Sequence, residues 1–312
     1  MRKRVVVIGS LSQDLVVKAP RLPARGETIR GTDFGMFVGG KGNNQALAAA
    51  RAGASVAMVG RVGHDQFGNT IIDTLVKSGV DASHVHRDEK AGSGIAIILV
   101  GGDGDNSIVI AQQANLELSE RDVEQAKPLL QSAAIVLLQM EVRTETVIAA
   151  AKAAKHAGVP VALNPAPAPE DGKLPPELWH SLDIIIPNQT EAALLLGVES
   201  VDLANAERSA AALQAMGPKT VILTLGEQGA LLVDGNAKPV HVQSFSVTAI
   251  DTTAAGDAFC GAFAAALSSG SSLEHSVRFG CAAGALACTR LGAEPSLPQR
   301  QEIERLAGTV VK

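Results

Sequence analysis

Ile135-Val-Leu-Leu-Gln-Met-Glu141 and Val161-Ala-Leu-Asn164, joined by the helical stretch Thr144–Ala157, decide the fold class. Each apolar run is short, lacks a polar face and ends on polar residues. That pattern marks a strand buried on both sides, as in a parallel sheet. Outward from this unit the alternation continues. A helix over Ser119–Lys127 precedes it. A Pro-rich loop (Pro165, Pro167, Pro169, Pro175, Pro176) follows, then strand Ile184–Ile186, Pro187-Asn188 and a helix opening near Thr190-Glu191. Helix Ala204–Met216 leads to strand Val221–Leu223, the loop Thr224-Leu225-Gly226-Glu227-Gln228-Gly229 and strand Ala230–Val233. Upstream, Val5–Ile8 and Ser55–Val59 read as strands, Gly60–Asp65 as a turn and Gly68–Ser78 as a helix. Repeated strand–helix units with short loops predict an α/β fold, a parallel sheet with helices on both faces.

Polar residues recur where strands end: Asp14, Glu141, Asn164, Asn188 and Thr224. Open α/β sheets bind ligands outside the carboxyl ends of their strands, so five such exits on one edge describe a cleft. Two segments, near residues 12–38 and 94–112, do not fit the alternation. The second holds Gly94–Val100 and Ser107–Ala111 around a Gly/Asp turn, a hairpin with apolar residues on both faces and no helix to cover it. We expect these segments to form a small lid on a single domain spanning 1–312, one face toward a ligand and the other toward a second subunit.

Two helix starts carry the chemistry. Asp251-Thr-Thr-Ala-Ala-Gly-Asp257 runs into an apolar, Ala-rich helix over Gly256–Leu267. Small residues there let backbone N–H groups approach an anion, with the Asp257 carboxylate beside them. A proton acceptor next to a holder of phosphate charge suits phosphoryl transfer. The ordinary alternative is that Thr253 caps the helix and Asp257 complements its dipole. Gly39-Gly-Lys-Gly-Asn-Asn44 opens a second helix, through Arg51. Its glycines imply close backbone approach, but Gly42 stands where a phosphate-binding P-loop needs Ser or Thr, so that motif is rejected.

Composition sets limits. With hydrophobic residues at 46% and aromatics at 3%, the core must be aliphatic and Ala-rich. A net charge of -5, with no basic stripe beyond Arg2-Lys3-Arg4, argues against a nucleic-acid surface. No apolar run is long enough to span a bilayer. Cys260, Cys281 and Cys288 lie late, in helical patterns without CxxC, and read as buried residues of a reducing, cytoplasmic compartment. His84 and His86 have no third ligand in sight and read as surface residues.

Taken together, Gly39–Asn44 and Asp251-Thr-x3-Gly256-Asp257, with Asn188-x-x-Glu191 and Thr224–Gly229 between them, resemble the carbohydrate-kinase superfamily that includes ribokinase, fructokinase and adenosine kinase. The resemblance covers essentially the whole chain. Leu163-Asn-Pro-Ala-Pro-Ala168, Gln139-Met-Glu141 and Thr289-Arg-x-Gly-Ala293 with Ser296 are similar to its ribokinase branch. The resemblance implies a three-layer α/β/α fold with a small β-sheet lid, and the two-faced apolar hairpin implies a homodimer joined through that lid. It implies ATP-dependent phosphorylation of the exocyclic CH2OH of a furanose, with ribose leading over deoxyribose, another pentose, a ketohexose or a nucleoside.

By the same resemblance Asp257 is the base, and the N–H groups of Ala254, Ala255 and Gly256 form an anion hole. Asp14, Gly40, Lys41, Asn44 and Glu141 hold the sugar, with Ala96 and Ile98 over it. ATP lies against Asn188, Thr224–Gly229, Gly256 and the region of Cys281, and Asn188 and Glu191 serve magnesium and phosphate. A monovalent cation, potassium, sits on Asp251, Thr253, Ala287, Arg290, Gly292 and Ser296. The branch usually presents Asn two residues before the sugar-binding Asp. Here that residue is Ser12, shorter and without the paired amide.

Two rivals differ in class. A non-catalytic sugar sensor would keep the fold but needs none of Asp257, Gly256 and the Asn188-x-x-Glu191 set, all present here. A dinucleotide dehydrogenase needs GxGxxG after the first strand, and Gly9-Ser-Leu-Ser-Gln13 does not supply it.

Overall fold

The computed structural model describes residues 4–103 and 105–308. Arg2, Lys3 and Gly104, on which part of the sequence reading falls, lie outside the described residues. The chain opens with β1 (Arg4–Ile8), β2 (Ser12–Lys18), β3 (Asp33–Gly39) and α1 (Lys41–Arg51). It continues through β4 (Val56–Gly63), α2 (Gln66–Lys77), β5 (Val80–Asp88), β6 (Gly94–Val100) and β7 (Asn106–Ala111). The short helices α3 (Glu120–Gln125) and α4 (Lys127–Gln131) precede β8 (Ala133–Leu138), α5 (Thr144–His156), β9 (Val161–Leu163) and α6 (Pro176–Trp179). Then come β10 (Ile184–Ile185), α7 (Gln189–Leu196), α8 (Ala206–Gln214), β11 (Thr220–Thr224), β12 (Ala230–Asp234) and β13 (Val240–Val242). The chain closes with α9 (Ala255–Ser268), α10 (Leu273–Ala287) and α11 (Arg300–Ala307).

Nine strands form one sheet in the order β13-β12-β11-β10-β9-β8-β1-β4-β5. All neighbours pair parallel except β12, which runs antiparallel to β11 and β13. The alternation of side chains builds two cores from single apolar runs. Val5, Val7, Ile135 and Leu137 join one cluster, with α1, α9 and α10. Val6, Ile8, Val136 and Leu138 join the other, with α5, α7 and α8. This is the three-layer arrangement expected of strands without a polar face.

The chain order reverses at β1, which lies between β4 and β8. That reversal opens a crevice at the carboxyl ends of β1 and β8, where Ser10, Gln139 and Glu141 follow. Over it lies a second sheet of four strands, β3-β2-β6-β7. Asp14 belongs to this sheet as part of β2 and is not a free exit of β1. The expected turn over Gly60–Asp65 is corrected: β4 runs on to Gly63, because residues from Val59 onward pair with β5. Cys260, Cys281 and Cys288 are unpaired. Among the described residues no helix is long and apolar enough to cross a membrane.

Candidate active site

The start of α1 is pressed onto the β1–β2 connection. Gly40, its N-cap, has φ 89°. A Cβ there would lie 2.9 Å from the Ser12 nitrogen, and one on Gly42 would lie 2.7 Å from the backbone of Gly9 and Ser10. The close approach read from the glycines is therefore to the protein's own backbone. It lets the Lys41 N–H donate to Glu141 Oε2 at 2.9 Å, the same oxygen that accepts from Ser10 Oγ at 2.5 Å. A carboxylate thus occupies the positive end of α1.

The four-stranded sheet adds Asp14. A Cβ on Gly39 would lie 2.3 Å from the Asp14 carboxylate oxygens, so only glycine leaves room for that acid. Ser12 Oγ donates to Asp14 Oδ1 at 3.3 Å. Asp14 pairs with Ala96, and two residues along Val16 pairs with Ile98, which puts Asp14, Ala96 and Ile98 on one face of the sheet. Burial pushes the Asp14 carboxyl up to about 6, against the Ser12 hydroxyl, and the charges of Glu141 and Asp257 push the same way.

From the other side, α9 brings Asp257. Its N-cap Ala254 sits in the left-handed region at φ 58° and offers no side-chain cap. The capping role considered for Thr253 is corrected, since its hydroxyl donates to Asp251 Oδ1 at 2.6 Å instead. The helix begins at Ala255, whose N–H turns back onto the Thr252 carbonyl at 3.2 Å, beside Ala254 and Gly256. Asp257 is 5% exposed. Its Oδ2 accepts from Asn44 Nδ2 at 3.1 Å and its Oδ1 from Gln45 Nε2 at 3.0 Å. Burial raises its pKa. The Lys41 ammonium and the Gln45 and Asn44 amides oppose that rise, while Glu141 adds to it. Lys41 is held protonated chiefly by Asp257, with Glu141 and Glu191 assisting. Asp14, Glu141, Asp257 and Lys41 therefore meet in one cleft.

The next exits lie alongside. Asn188 and Glu191 form a reciprocal cap on α7, Asn188 Oδ1 accepting from the Glu191 N–H at 2.8 Å and the Asn188 N–H donating to Glu191 Oε2 at 2.9 Å. Burial raises the Glu191 pKa; the Asn188 N–H and Lys41 oppose it, and Asp257 adds to it, which places Glu191 in the field of the cleft. Thr224 pairs with Asn188 across the sheet and donates to the Pro187 carbonyl at 3.3 Å. The turn Leu225–Gly229 leaves from there, with Gly226 and Gly229 at positive φ.

Asp251 ties two loops. Its Oδ1 accepts from the Thr253 N–H at 2.9 Å and its Oδ2 from the Gly292 N–H at 2.8 Å. Burial would raise its pKa, but these donors and the Thr253 hydroxyl outweigh burial and hold it below the usual carboxylate range. The Ala287 carbonyl accepts from the Arg290 N–H at 3.2 Å, and Ser296 Oγ donates to Ala293. Cys281 is packed in the core on α10, its thiol pushed by burial up to about 12, and the fold does not bring it to the carboxylate cluster. His84 and His86 are half-buried on β5, not surface residues, and among the described residues no group of three His, Cys, Asp or Glu side chains could hold a metal ion.

Sequence reasoning missed Gln45 and the hydroxyl of Ser10. The one signal for Gln45 is that it is polar within the Ala-rich run of α1, which any exposed helix position would share. What sets it against Asp257 is Gly261, where a Cβ would lie 2.6 Å from the Gln45 carbonyl and 2.5 Å from Ala48 Cβ.

The chain is similar to known proteins over nearly its whole length. The ribokinase of Haemophilus influenzae is 42% identical over 302 residues, 97% of this chain and 97% of that protein. The deoxyribokinase of Salmonella typhi is 35% identical over 298 residues, 96% of each chain. The solved structure of Arabidopsis thaliana ribokinase complexed with ribose and ATP superposes with a TM-score of 0.91, at 36% identity, covering 99% of this chain and 100% of that one. The family profile described as pfkB family carbohydrate kinase matches residues 2–300, and with the fold and relatives in agreement the chain belongs to that family of kinases.

Proposed function

We propose that this protein transfers the γ-phosphate of ATP to the C5 hydroxyl of ribose. The observation that carries the reading is Asp257, a buried carboxylate at the uncapped start of α9, facing a cleft shared with Asp14, Glu141 and Lys41. The likeness to a structure complexed with ribose and ATP supports the choice of substrates.

In this reading Asp14, Lys41, Asn44 and Glu141, with the backbone of Gly40, hold the sugar and present its CH2OH to Asp257. Asn44 Oδ1 is buried without a partner and suits a donating sugar hydroxyl. Asp257 takes the hydroxyl proton. The freed oxygen forms a bond to the γ-phosphorus as the bond to the bridging oxygen of ADP breaks. N–H groups at Ala254 and Gly256, with that of Ala255 once it leaves the Thr252 carbonyl, stabilise charge on the phosphoryl oxygens. Ala96 and Ile98 close over the sugar and exclude water. Asn188 and Thr224–Gly229 border the nucleotide.

Asn188 and Glu191 would hold magnesium, which neutralises phosphate charge when bound. The ionised carboxylate of Asp251, with carbonyls of Thr253, Ala287, Arg290 and Gly292 and the hydroxyl of Ser296, is an oxygen set that suits potassium. It would order the loop before α9 without touching the sugar.

Deoxyribose is the second reading. Ser12 Oγ is already directed to Asp14, so the sugar has one fewer free polar partner there. The outer face of the lid carries Phe34, Met36, Ile97 and Val109, exposed at 59%, 56%, 46% and 68%, and we assign it to a second copy. A monomeric mass at micromolar protein would count against that assignment. The functional test is ADP release against a panel of ribose, deoxyribose, fructose and adenosine, in potassium and in sodium. The expected outcome is the highest kcat/KM for ribose, greater in potassium. Sugar binding without ADP release for any member would instead mark a sensor.

A further inference from the structure

We propose that Gln45 is a positioning residue for Asp257, its amide locked in one orientation by Asn164 and Gln139. The proposal rests on the sugar-kinase reading of Asp257. The locking begins at a backbone carbonyl, which can only accept. Asn164 Nδ2 donates to the Ile186 carbonyl at 2.9 Å, so Asn164 Oδ1 is turned toward Gln45. That oxygen also only accepts, so Gln45 must present Nε2, at 3.2 Å. The other hydrogen of the same nitrogen goes to Asp257 Oδ1 at 3.0 Å. Gln45 Oε1 is left for Gln139 Nε2, at 2.7 Å. Two amides in series, Asn164 and Gln45, thus carry the polarity of one carbonyl to the carboxylate, and Gln139 adds a donor to the remaining oxygen of Gln45.

The neighbouring amide behaves differently. Asn44 gives Nδ2 to Asp257 and keeps a buried, unpartnered Oδ1. Gln45 and Gln139 are both 0% exposed. Both N–H hydrogens of Gln45 are engaged and its oxygen faces Gln139, so nothing remains for a substrate. Any effect of Gln45 on the reaction passes through Asp257. A fixed N–H on Oδ1 favours the ionised carboxylate and leaves the other lone pairs for the sugar hydroxyl. A reversed amide would set oxygen against oxygen. The groups that face Asp257 from the surrounding elements are Lys41 on α1, Glu141 after β8, Asp14 on β2, Glu191 on α7 and Cys260 on α9.

The test is the pH profile of kcat for Gln45→Met, which keeps length and loses the amide, and for Gln139→Leu, which removes only the orienting donor. For Gln45→Met the acid limb is expected to move up by about one pH unit, with a roughly tenfold loss of kcat below it and recovery above. KM for the sugar should stay within about twofold. Gln139→Leu should move the limb less, in the same direction, and decides alone on the same criteria if Gln45→Met does not fold. A folded variant with an unmoved acid limb, or with kcat lost equally at every pH, overturns the proposal and leaves the kinase reading standing. Absence of phosphate transfer by the unmodified protein overturns both.

Discussion

Helices α1 and α9 both begin at the cleft, from residues with φ of 89° and 58°, and neither N-cap provides a side-chain acceptor. Helices α2 and α10, away from it, are capped conventionally, by Asp65 and Ser272. The two uncapped starts then part ways. At α1 the first N–H groups are engaged by Glu141 and Ser10, so the positive end of the helix is matched by the protein's own carboxylate. At α9 no carboxylate of the described residues fills that place, and Asp257 instead turns its oxygens to α1. Similar backbone chemistry therefore gives one closed end, suited to a neutral sugar held by polar side chains, and one open end, suited to an incoming anion.

Breaking the α9 side should have the largest effect. Asp257→Asn keeps the shape and removes the proposed base, and kcat should fall by about 10²–10⁴-fold with little change in KM for the sugar. Unimpaired turnover would remove Asp257 from its role.

On the α1 side the loss should appear in KM. Asp14→Asn removes a charged hydrogen-bond partner, and a rise of about 10–100-fold is expected. In the unmodified protein KM should climb as pH falls below about 6, where the raised Asp14 carboxyl takes up a proton. The sign for stability is opposite. A carboxyl whose pKa is raised on folding from 3.8 to about 6 costs stability while ionised, so Asp14→Asn should melt higher at pH 7. That advantage should shrink as pH falls from about 6 toward 3.8. Equal melting temperatures at pH 7 would contradict the buried, ionised assignment.

The joint between the two helices comes next. Gly261→Ala forces a methyl into atoms 2.5–2.7 Å away on α1. It should cost about 1–3 kcal/mol in thermal or denaturant unfolding and lower kcat by pulling Gln45 from Asp257. The smallest effect is expected from Glu141→Gln, which weakens the charge at the start of α1 but keeps an acceptor there. A change in kcat/KM of about 2–10-fold would fit a dipole term of this kind. A loss as large as that of Asp257→Asn would mean that the two ends are not distinct.

Much of this was legible in the sequence because apolar runs without a polar face allow few folds. Val5–Ile8, Ile135–Leu138 and Val161–Leu163 had to be buried on both sides, and the sheet follows. What escaped was set by tertiary contact. Gly60–Gly63 carries turn residues yet extends β4, because β5 lies beside it. The edge strand β13 and the helix α11 have weak local patterns and were not anticipated. Of the residues that meet in the cleft, those at strand ends and helix starts were visible from position alone. Gln45 was not, because a glutamine inside a helix looks like any good helix former until Gly261 brings α9 against it.

The measurement that bears most directly on the central claim is identification of the product formed from ATP and ribose by phosphorus–proton coupling in NMR. One new phosphate monoester coupled to the two protons of C5 is expected, with ADP formed in equal amount. Phosphate on any other carbon, or inorganic phosphate alone, would contradict it.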